Sequence, residues 1–156
     1  MSIDPPIRVL VICWGNSARS ILAEALIRHH GGDDFDVNSA GIEPKGVNPL
    51  TIRVLDEAGL DHEWARSKSV DEFLGQSFDY VITVCDDART VCPVFPGEKQ
   101  TVLHWGYEDP AKVEGTDEQR VAAFQTTLTM LATRITSFVD IARRERRTGE
   151  AAAVGG

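Results

Sequence analysis

Four short runs of apolar or alternating residues recur along the chain, at residues 8–12, 35–40, 78–84 and 100–104. Their length and their β-branched and aromatic content predict buried β-strands. Between these runs, apolar residues recur every three or four positions, which predicts helices over residues 17–30, from residue 49 to Gly59, and onward from residue 117. Because strands alternate with helices, we expect an α/β fold with three layers, in which a four-stranded parallel sheet carries helices on both faces.

The start of two helices is marked by capping residues. Asn48 precedes Pro49, a combination typical of an N-cap and first helical position. Thr116 and Gln119 have the spacing of a capping box. The helix that follows them carries the most regular apolar stripe in the chain: Val121, Phe124, Leu128, Leu131, Ile135 and Phe138. We expect a single domain over residues 1–148, with a short helical turn at residues 70–74 and a flexible tail over residues 149–156.

The net charge of −8 over 156 residues disfavours nucleic acid and anionic membranes as partners. No stretch has the length of a transmembrane segment, and the N-terminus does not resemble a signal peptide, so we expect the protein in the cytoplasm. We also expect a monomer. The three cysteines are an odd number, which argues against a disulfide framework. The four histidines show no zinc-ligand spacing, so we expect neither a metal ion nor an organic cofactor.

The most informative stretch, residues 13–20, reads Cys-Trp-Gly-Asn-Ser-Ala-Arg-Ser between the first strand and the first helix. Its backbone amides, the helix N-terminus and Arg19 can together hold a tetrahedral oxyanion and favour the thiolate form of Cys13. Asn16 suits a left-handed backbone position and can brace the loop, and Ser20 can donate to the sulfur. The expected oxyanion-binding residues are Trp14, Gly15, Asn16, Ser17, Ala18, Arg19 and Ser20.

Taken alone, the motif has two other interpretations, one for Cys13 and one for the whole loop. A lone cysteine at a strand end is commonly a small core residue, but the strand-to-helix position and the Gly, Asn and Ser of the loop favour catalysis. The loop is not a nucleotide-binding P-loop, because no Gly-Lys-Ser/Thr closes it.

Further chemistry follows the later strands, at Cys85, Cys92 and Asp109. Cys85 and Cys92 are too far apart for a Cys-x-x-Cys pair, and each alone is typical of a structural cysteine. Together with a nucleophilic Cys13 they suggest a thiol relay, in which the intervening segment must bend. Asp109 is a possible general acid, although an aspartate before proline is also a common turn residue, and Glu108 is a rival for the role.

At this point the sequence resembles a known family. The loop of residues 13–20 is similar to the active-site loop of low-molecular-weight protein tyrosine phosphatases. Residues 38–43, 46–49, 84–93 and 104–110 are similar to their redox relatives, the thioredoxin-coupled arsenate reductases. The similarity covers roughly residues 7–140 and includes all three cysteines.

The resemblance implies a role for each matching residue. Cys13 would attack arsenate, Asp109 would protonate the departing oxygen, and Arg19 with the loop amides would hold the other oxygens. Cys85 would then attack Cys13 and release arsenite, and Cys92 would attack Cys85 to give a disulfide that thioredoxin reduces. Phosphate or sulfate would bind the loop as analogues of arsenate.

The sequence also departs from the family's pattern. Position 18 is alanine where relatives often carry cysteine, which the relay does not need. Some relatives bind potassium through Asn, Glu, Ser and Asp side chains. Asn16, Glu24 and Ser39 match the first three, and Lys68 stands at the fourth position. We therefore expect Asn16, Glu24, Ser39 and Lys68 to brace the loop, with the Lys68 ammonium in place of the ion.

Three alternatives stay open. A phosphotyrosine phosphatase would use the same loop without Cys85 and Cys92, but those enzymes tend to follow the general-acid Asp-Pro with tyrosine, and Ala111 stands here. A reductase that passes the adduct to a small thiol such as mycothiol or glutathione would not need both relay cysteines. A non-catalytic anion sensor or redox switch would bind the oxyanion or a partner without turnover.

Overall fold

The computed structural model describes residues 3–84, 95, 96 and 100–155, with side chains up to residue 149. Its strands are β1 (Ile7–Cys13), β2 (Phe35–Gly41), β3 (Tyr80–Thr83) and β4 (Thr101–His104). Its α-helices are α1 (Arg19–Gly31), α2 (Pro49–Glu57) and α3 (Asp117–Gly155), with 3₁₀ turns at Gly32–Asp34, Val70–Phe73 and Pro110–Lys112. No helix within this described part is long and apolar enough to cross a membrane.

The strands form one parallel sheet in the order β2-β1-β3-β4. In β1, Val9 and Val11 alternate with Leu10 and Ile12, and all four are fully buried. Both faces of this central strand are therefore covered, as the predicted three-layer α/β fold requires. The chain leaves β1 toward β2 on one side and returns to β3 on the other, so the strand order reverses at the carboxyl end of β1, which is where such folds bind ligands.

The capping predictions are confirmed. The Asn48 side chain accepts a hydrogen bond from the Leu50 amide at 2.9 Å, at the start of α2. Thr116 and Gln119 exchange the reciprocal bonds of a capping box, at 2.8 and 3.2 Å. Both helices therefore begin where local side-chain chemistry satisfies their free amides.

Helix α3 closes one face of the sheet through Phe138. The Phe138 ring packs against Phe35 of β2, Tyr80 of β3 and Trp105 beyond β4, with centroid distances of 6.2, 5.0 and 5.5 Å. Five of the six residues in the predicted stripe are buried, and Leu128 is half-buried. The helix extends through Gly155, and the division into a domain and a flexible tail stays a prediction.

Two boundaries differ from prediction for reasons of tertiary structure. Strand β3 begins at Tyr80 rather than at residue 78, because Phe78 turns into an aromatic cluster with Phe73 and Phe95. Helix α1 begins at Arg19 rather than at residue 17, because the Ser17 carbonyl accepts hydrogen bonds from the Asn48 amide and the Thr51 hydroxyl, at the start of α2.

Candidate functional site

The loop of residues 13–18 curls at the carboxyl end of β1, directly before α1. Cys13 is the last residue of β1 and is only 2% exposed. Asn16 has a φ of 45°, which confirms the left-handed conformation predicted for it. Ala18 is the N-cap residue of α1 and provides no side-chain cap, so the amides of the first turn remain free for an anion.

The loop carbonyls are held outward by the segment that follows β2. The carbonyls of Cys13, Trp14, Gly15 and Ser17 accept hydrogen bonds from the amides of Ile42, Glu43, Lys45 and Asn48, at 3.2, 2.9, 2.9 and 3.1 Å. In a trans peptide the N–H points opposite to the carbonyl, so the amides that follow these carbonyls point into the loop. The Asn16 amide does so, at 3.2 Å from the Cys13 sulfur. This backbone arrangement has the geometry expected of the nest predicted from sequence, and anion binding by it stays a prediction.

Gly41 lets the loop sit directly on the end of β2. A Cβ at this position would lie 2.8 Å from the Asn16 amide nitrogen and 2.9 Å from the Trp14 carbonyl oxygen. The predicted second strand ended at residue 40, so sequence analysis missed this contact. A glycine at the end of a strand beside a second loop is the signal that was available for it.

The Cys13 thiol contacts a directed network of hydrogen bonds. The Asn16 carboxamide oxygen accepts from the Lys68 amide at 2.8 Å, so its nitrogen faces Ser20 and Ser39, at 2.8 and 3.0 Å. Since the Ser20 oxygen accepts from Asn16, its own hydrogen is free to point at the Cys13 sulfur, 2.8 Å away. A hydroxyl that donates to sulfur stabilises the thiolate over the thiol.

The far end of this network is the fully buried carboxylate of Glu24. It accepts from the Ser39 hydroxyl at 2.7 Å and from Arg28 at 2.7 Å, while the Lys68 ammonium lies 3.9 Å away. The Arg28 guanidinium in turn lies 4.5 Å above the Trp64 ring. Burial lowers the pKa of Lys68, and the Glu24 charge opposes that effect.

Sequence analysis missed Arg28 and Trp64. The i,i+4 spacing of Glu24 and Arg28 was the available signal for the first, and nothing local marks the second.

Arg19 and Asp109 meet across the loop. The Arg19 guanidinium donates to the Tyr107 carbonyl at 2.9 Å and lies 3.7 Å from the Asp109 carboxylate. The other Asp109 oxygen accepts from the Ala111 amide at 2.9 Å and caps the turn at Pro110–Lys112. Asp109 is therefore a turn residue and also lies beside the loop of residues 13–18.

These groups face one cavity of about 360 Å³. It is lined by Cys13, Trp14, Gly15, Ser17, Ala18, Arg19, Lys45, Asn48, Asp109, Ala111 and Lys112. Asn16 and Ser20, which the sequence placed in the oxyanion-binding set, are fully buried behind the sulfur. Glu108 is exposed, and Lys45 and Lys112 are cavity residues that sequence analysis missed.

Cys85 and Cys92 lie outside the described residues, so their predicted roles stay predictions. In the part of the chain that the structure does describe, Cys13 is a free thiol. Nowhere in that part do three or more His, Cys, Asp or Glu side chains form a group that could hold a metal ion.

Comparison with known proteins gives the family. Residues 8–148 match the family described as low molecular weight phosphotyrosine protein phosphatase. An arsenate reductase of Halalkalibacterium halodurans is 42% identical over 132 residues, which cover 85% of this chain and 94% of that protein.

Among solved structures, an arsenate reductase in the phosphate binding state has a TM-score of 0.68 at 27% identity, covering 86% of this chain and 97% of that one. The Corynebacterium glutamicum thioredoxin-dependent arsenate reductase has a TM-score of 0.59 at 30% identity, covering 85% and 64%. The loop, the sheet order and these matches agree, and the chain belongs to the low molecular weight phosphotyrosine protein phosphatase family.

Proposed function

We propose that this protein reduces arsenate to arsenite. The observation that carries the proposal is the Cys13 thiol, which lies in an amide-lined loop beside the Ser20 hydroxyl, with Arg19 and Asp109 across the cavity. Relatives named arsenate reductase support arsenate as the substrate, and the thioredoxin-dependent neighbour supports thioredoxin as the electron donor. The phosphate-bound neighbour supports phosphate as an analogue in the loop.

The first step is displacement at arsenic. The Cys13 thiolate forms a sulfur–arsenic bond, and one arsenate oxygen leaves with a proton that Asp109 donates. Arg19 and the inward loop amides hold the remaining oxygens, where charge is concentrated in the transition state. The Ser20 hydroxyl stabilises the attacking thiolate before the bond forms.

The second and third steps move the oxidation between cysteines. Cys85 attacks the Cys13 sulfur, a Cys13–Cys85 disulfide forms, and the sulfur–arsenic electron pair stays on arsenic, which leaves as arsenite. Cys92 then attacks Cys85, which releases the Cys13 thiolate and leaves a Cys85–Cys92 disulfide. The two thiols of reduced thioredoxin reduce this disulfide and return the protein to its starting state.

We place the activity in the cytoplasm and in a monomer. The relay starts from three free thiols, which persist in a reducing compartment. Every residue assigned to the reaction comes from one chain, so a partner subunit is not required.

The test of the relay is NADPH consumption with thioredoxin, thioredoxin reductase and arsenate, on the wild type and on Cys92→Ser. We expect sustained turnover in the wild type and at most one turnover in the variant. Equal turnover in both would remove Cys92 from the mechanism and favour direct reduction by an outside thiol. No turnover in either would contradict the proposal and leave a phosphatase or a non-catalytic module.

A phosphatase activity is the second candidate, because Cys13, Arg19 and Asp109 share one cavity that a phosphate ester can also enter. We expect weak hydrolysis of para-nitrophenyl phosphate that Cys85→Ser and Cys92→Ser leave unchanged. Hydrolysis that exceeds arsenate turnover would make phosphatase the main activity.

We also propose that Lys68 replaces the potassium ion of some relatives. Its side chain is 7% exposed, and its ammonium lies 3.9 Å from Glu24 and donates to the Arg66 carbonyl at 3.3 Å. Turnover and thermal stability should therefore be equal in potassium and choline buffers of the same ionic strength. A marked rise of either quantity with millimolar potassium would contradict this role.

A further inference from the structure

Two lysines line the cavity without a role in the steps above. Lys45 belongs to the segment after β2, and Lys112 belongs to the turn that follows Asp109. Both lie on the same cavity as Cys13 and Arg19, and both are exposed. The whole chain carries a net charge of −8, so its overall field repels an anion and cations at the cavity must attract it.

Lys45 is held in place by the loop itself. Its amide donates to the Gly15 carbonyl at 2.9 Å. Its Cδ and Cγ lie 3.2 and 3.4 Å from the point where a Gly15 Cβ would be. The aliphatic stem therefore covers Gly15, which has no side chain to displace it, and Lys45 lines the cavity beside it.

The charges around the thiol leave a deficit that lysine can fill. Arg19 shares the cavity with the Cys13 sulfur and supplies one positive charge, and its guanidinium is held by the Tyr107 carbonyl at 2.9 Å. A dianionic oxyanion brings two negative charges next to that sulfur, and the negative charge already there opposes its binding. None of the ion pairs among the described residues involves Lys45 or Lys112.

We infer that Lys45 is a substrate-binding residue that selects a compact dianion, such as arsenate, phosphate or sulfate, with Lys112 as a second cation. The inference rests on the proposed function and names the charge class of its substrate. Because Lys45 is exposed at the cavity, its attraction acts on bound substrate and transition state alike. Its loss should therefore raise KM for arsenate and leave kcat nearly unchanged.

The test compares Lys45→Met, which keeps an unbranched stem over Gly15 and removes the charge, with Lys45→Arg, which keeps the charge. The protein is alkylated either with anionic iodoacetate or with neutral iodoacetamide. Mass spectrometry of the peptide that contains Cys13 gives the rate of each reaction. The ratio of the two rates reports the local charge at the sulfur. A second reading is the sulfate concentration that halves the iodoacetamide rate.

We expect Lys45→Met to lower the rate ratio about threefold and to raise the protecting sulfate concentration about three- to fivefold. Lys45→Arg should stay within about twofold of the wild type. Arg53→Met is the control, because Arg53 lies outside the cavity and its side chain is 56% exposed; it should change neither reading.

The inference is overturned if Lys45→Met matches the wild type in both readings, or if Lys45→Arg behaves like Lys45→Met. Neither reading uses thioredoxin or turnover, so the outcomes separate the two proposals. Charge-dependent sulfate protection in a protein that does not reduce arsenate would uphold the role of Lys45 and reject the proposed function. Arsenate reduction with a KM that Lys45→Met leaves unchanged would uphold the proposed function and reject the role of Lys45.

Discussion

At the scale of single residues, the orientation of the Asn16 carboxamide determines which hydrogen bond the Cys13 sulfur receives. Asn16 is fully buried, and its oxygen is fixed by the Lys68 amide at 2.8 Å. Its nitrogen therefore donates to Ser20 and directs the Ser20 hydrogen to the Cys13 sulfur. A short polar chain of this kind stabilises a thiolate through a hydrogen bond from an uncharged hydroxyl.

Ser20→Ala should slow the alkylation of Cys13 by iodoacetamide at pH 7 by about tenfold, because a hydrogen bond to a charged group is lost. Ser137→Ala is the matched control, since Ser137 is exposed on α3. Alkylation rates followed on the Cys13 peptide test this expectation. Equal rates in Ser20→Ala and wild type would show that the hydroxyl does not stabilise the thiolate.

At the scale of elements, α1 carries an ion pair between a buried carboxylate, Glu24, and a guanidinium, Arg28, whose side chain is 41% exposed. Glu24 is 1% exposed at its side chain and pairs with Arg28 one turn later, at 2.7 Å. Its other oxygen holds Ser39 of β2, so the helix, the strand and the loop are connected through one carboxylate. Removing the partner of a buried charge lowers the free energy of unfolding, whereas an ion pair between two exposed side chains adds little to it.

Arg28→Met should lower the free energy of unfolding by about 1–2 kcal/mol, because the buried Glu24 carboxylate loses one hydrogen-bond donor but keeps the Ser39 hydroxyl. The control is Arg53→Met, which breaks an i,i+4 pair of similar length, 2.8 Å to Glu57, between side chains that are 56% and 45% exposed. That variant should lose less than about 0.5 kcal/mol. Urea denaturation of the wild type and the two variants measures these free energies. Equal losses of free energy in Arg28→Met and Arg53→Met would contradict the claim that burial of Glu24 strengthens its pair with Arg28.

At the scale of the whole molecule, Asp34 connects the chain's first residues to its last helix. Its carboxylate accepts from the Ile3 amide at 2.8 Å and from Arg143 of α3 at 2.9 Å. Arg143 also donates to the Gly31 carbonyl at 2.9 Å, at the end of α1. The Ile3 amide lowers the pKa of Asp34, burial opposes it, and Arg143 lowers it further.

Because the folded protein lowers the pKa of Asp34, its stabilising effect is present above the unfolded value of about 3.9 and is lost as pH falls through the folded value. Asp34→Asn should lower the melting temperature at pH 7. The difference from wild type should shrink below about pH 4. Thermal unfolding at several pH values measures this, and a difference that does not change with pH would rule out a charged Asp34 as its source.

What the sequence predicts well is local. The four strands, the Asn48 and Thr116 caps and the left-handed Asn16 each follow from residues within a few positions of one another. Sequence analysis could not predict the hydrogen bonds from the amides of residues 42–48 to the carbonyls of residues 13–17, because these bonds depend on how β1 and β2 align. The stem of Lys45 over Gly15 and the Trp64 ring against Arg28 join residues about 30 or more positions apart, and no local pattern marks them.

The central claim is that Cys13 attacks arsenate and passes its oxidation to Cys85. The most direct test is peptide mass mapping of reduced Cys92→Ser after one equivalent of arsenate, without thioredoxin and with thiol–disulfide exchange stopped by an acid quench. We predict one arsenite released per protein and a disulfide between the peptides that contain Cys13 and Cys85, which Cys13→Ser abolishes. Arsenite release with Cys13 still a free thiol, or with no such disulfide, would contradict the account.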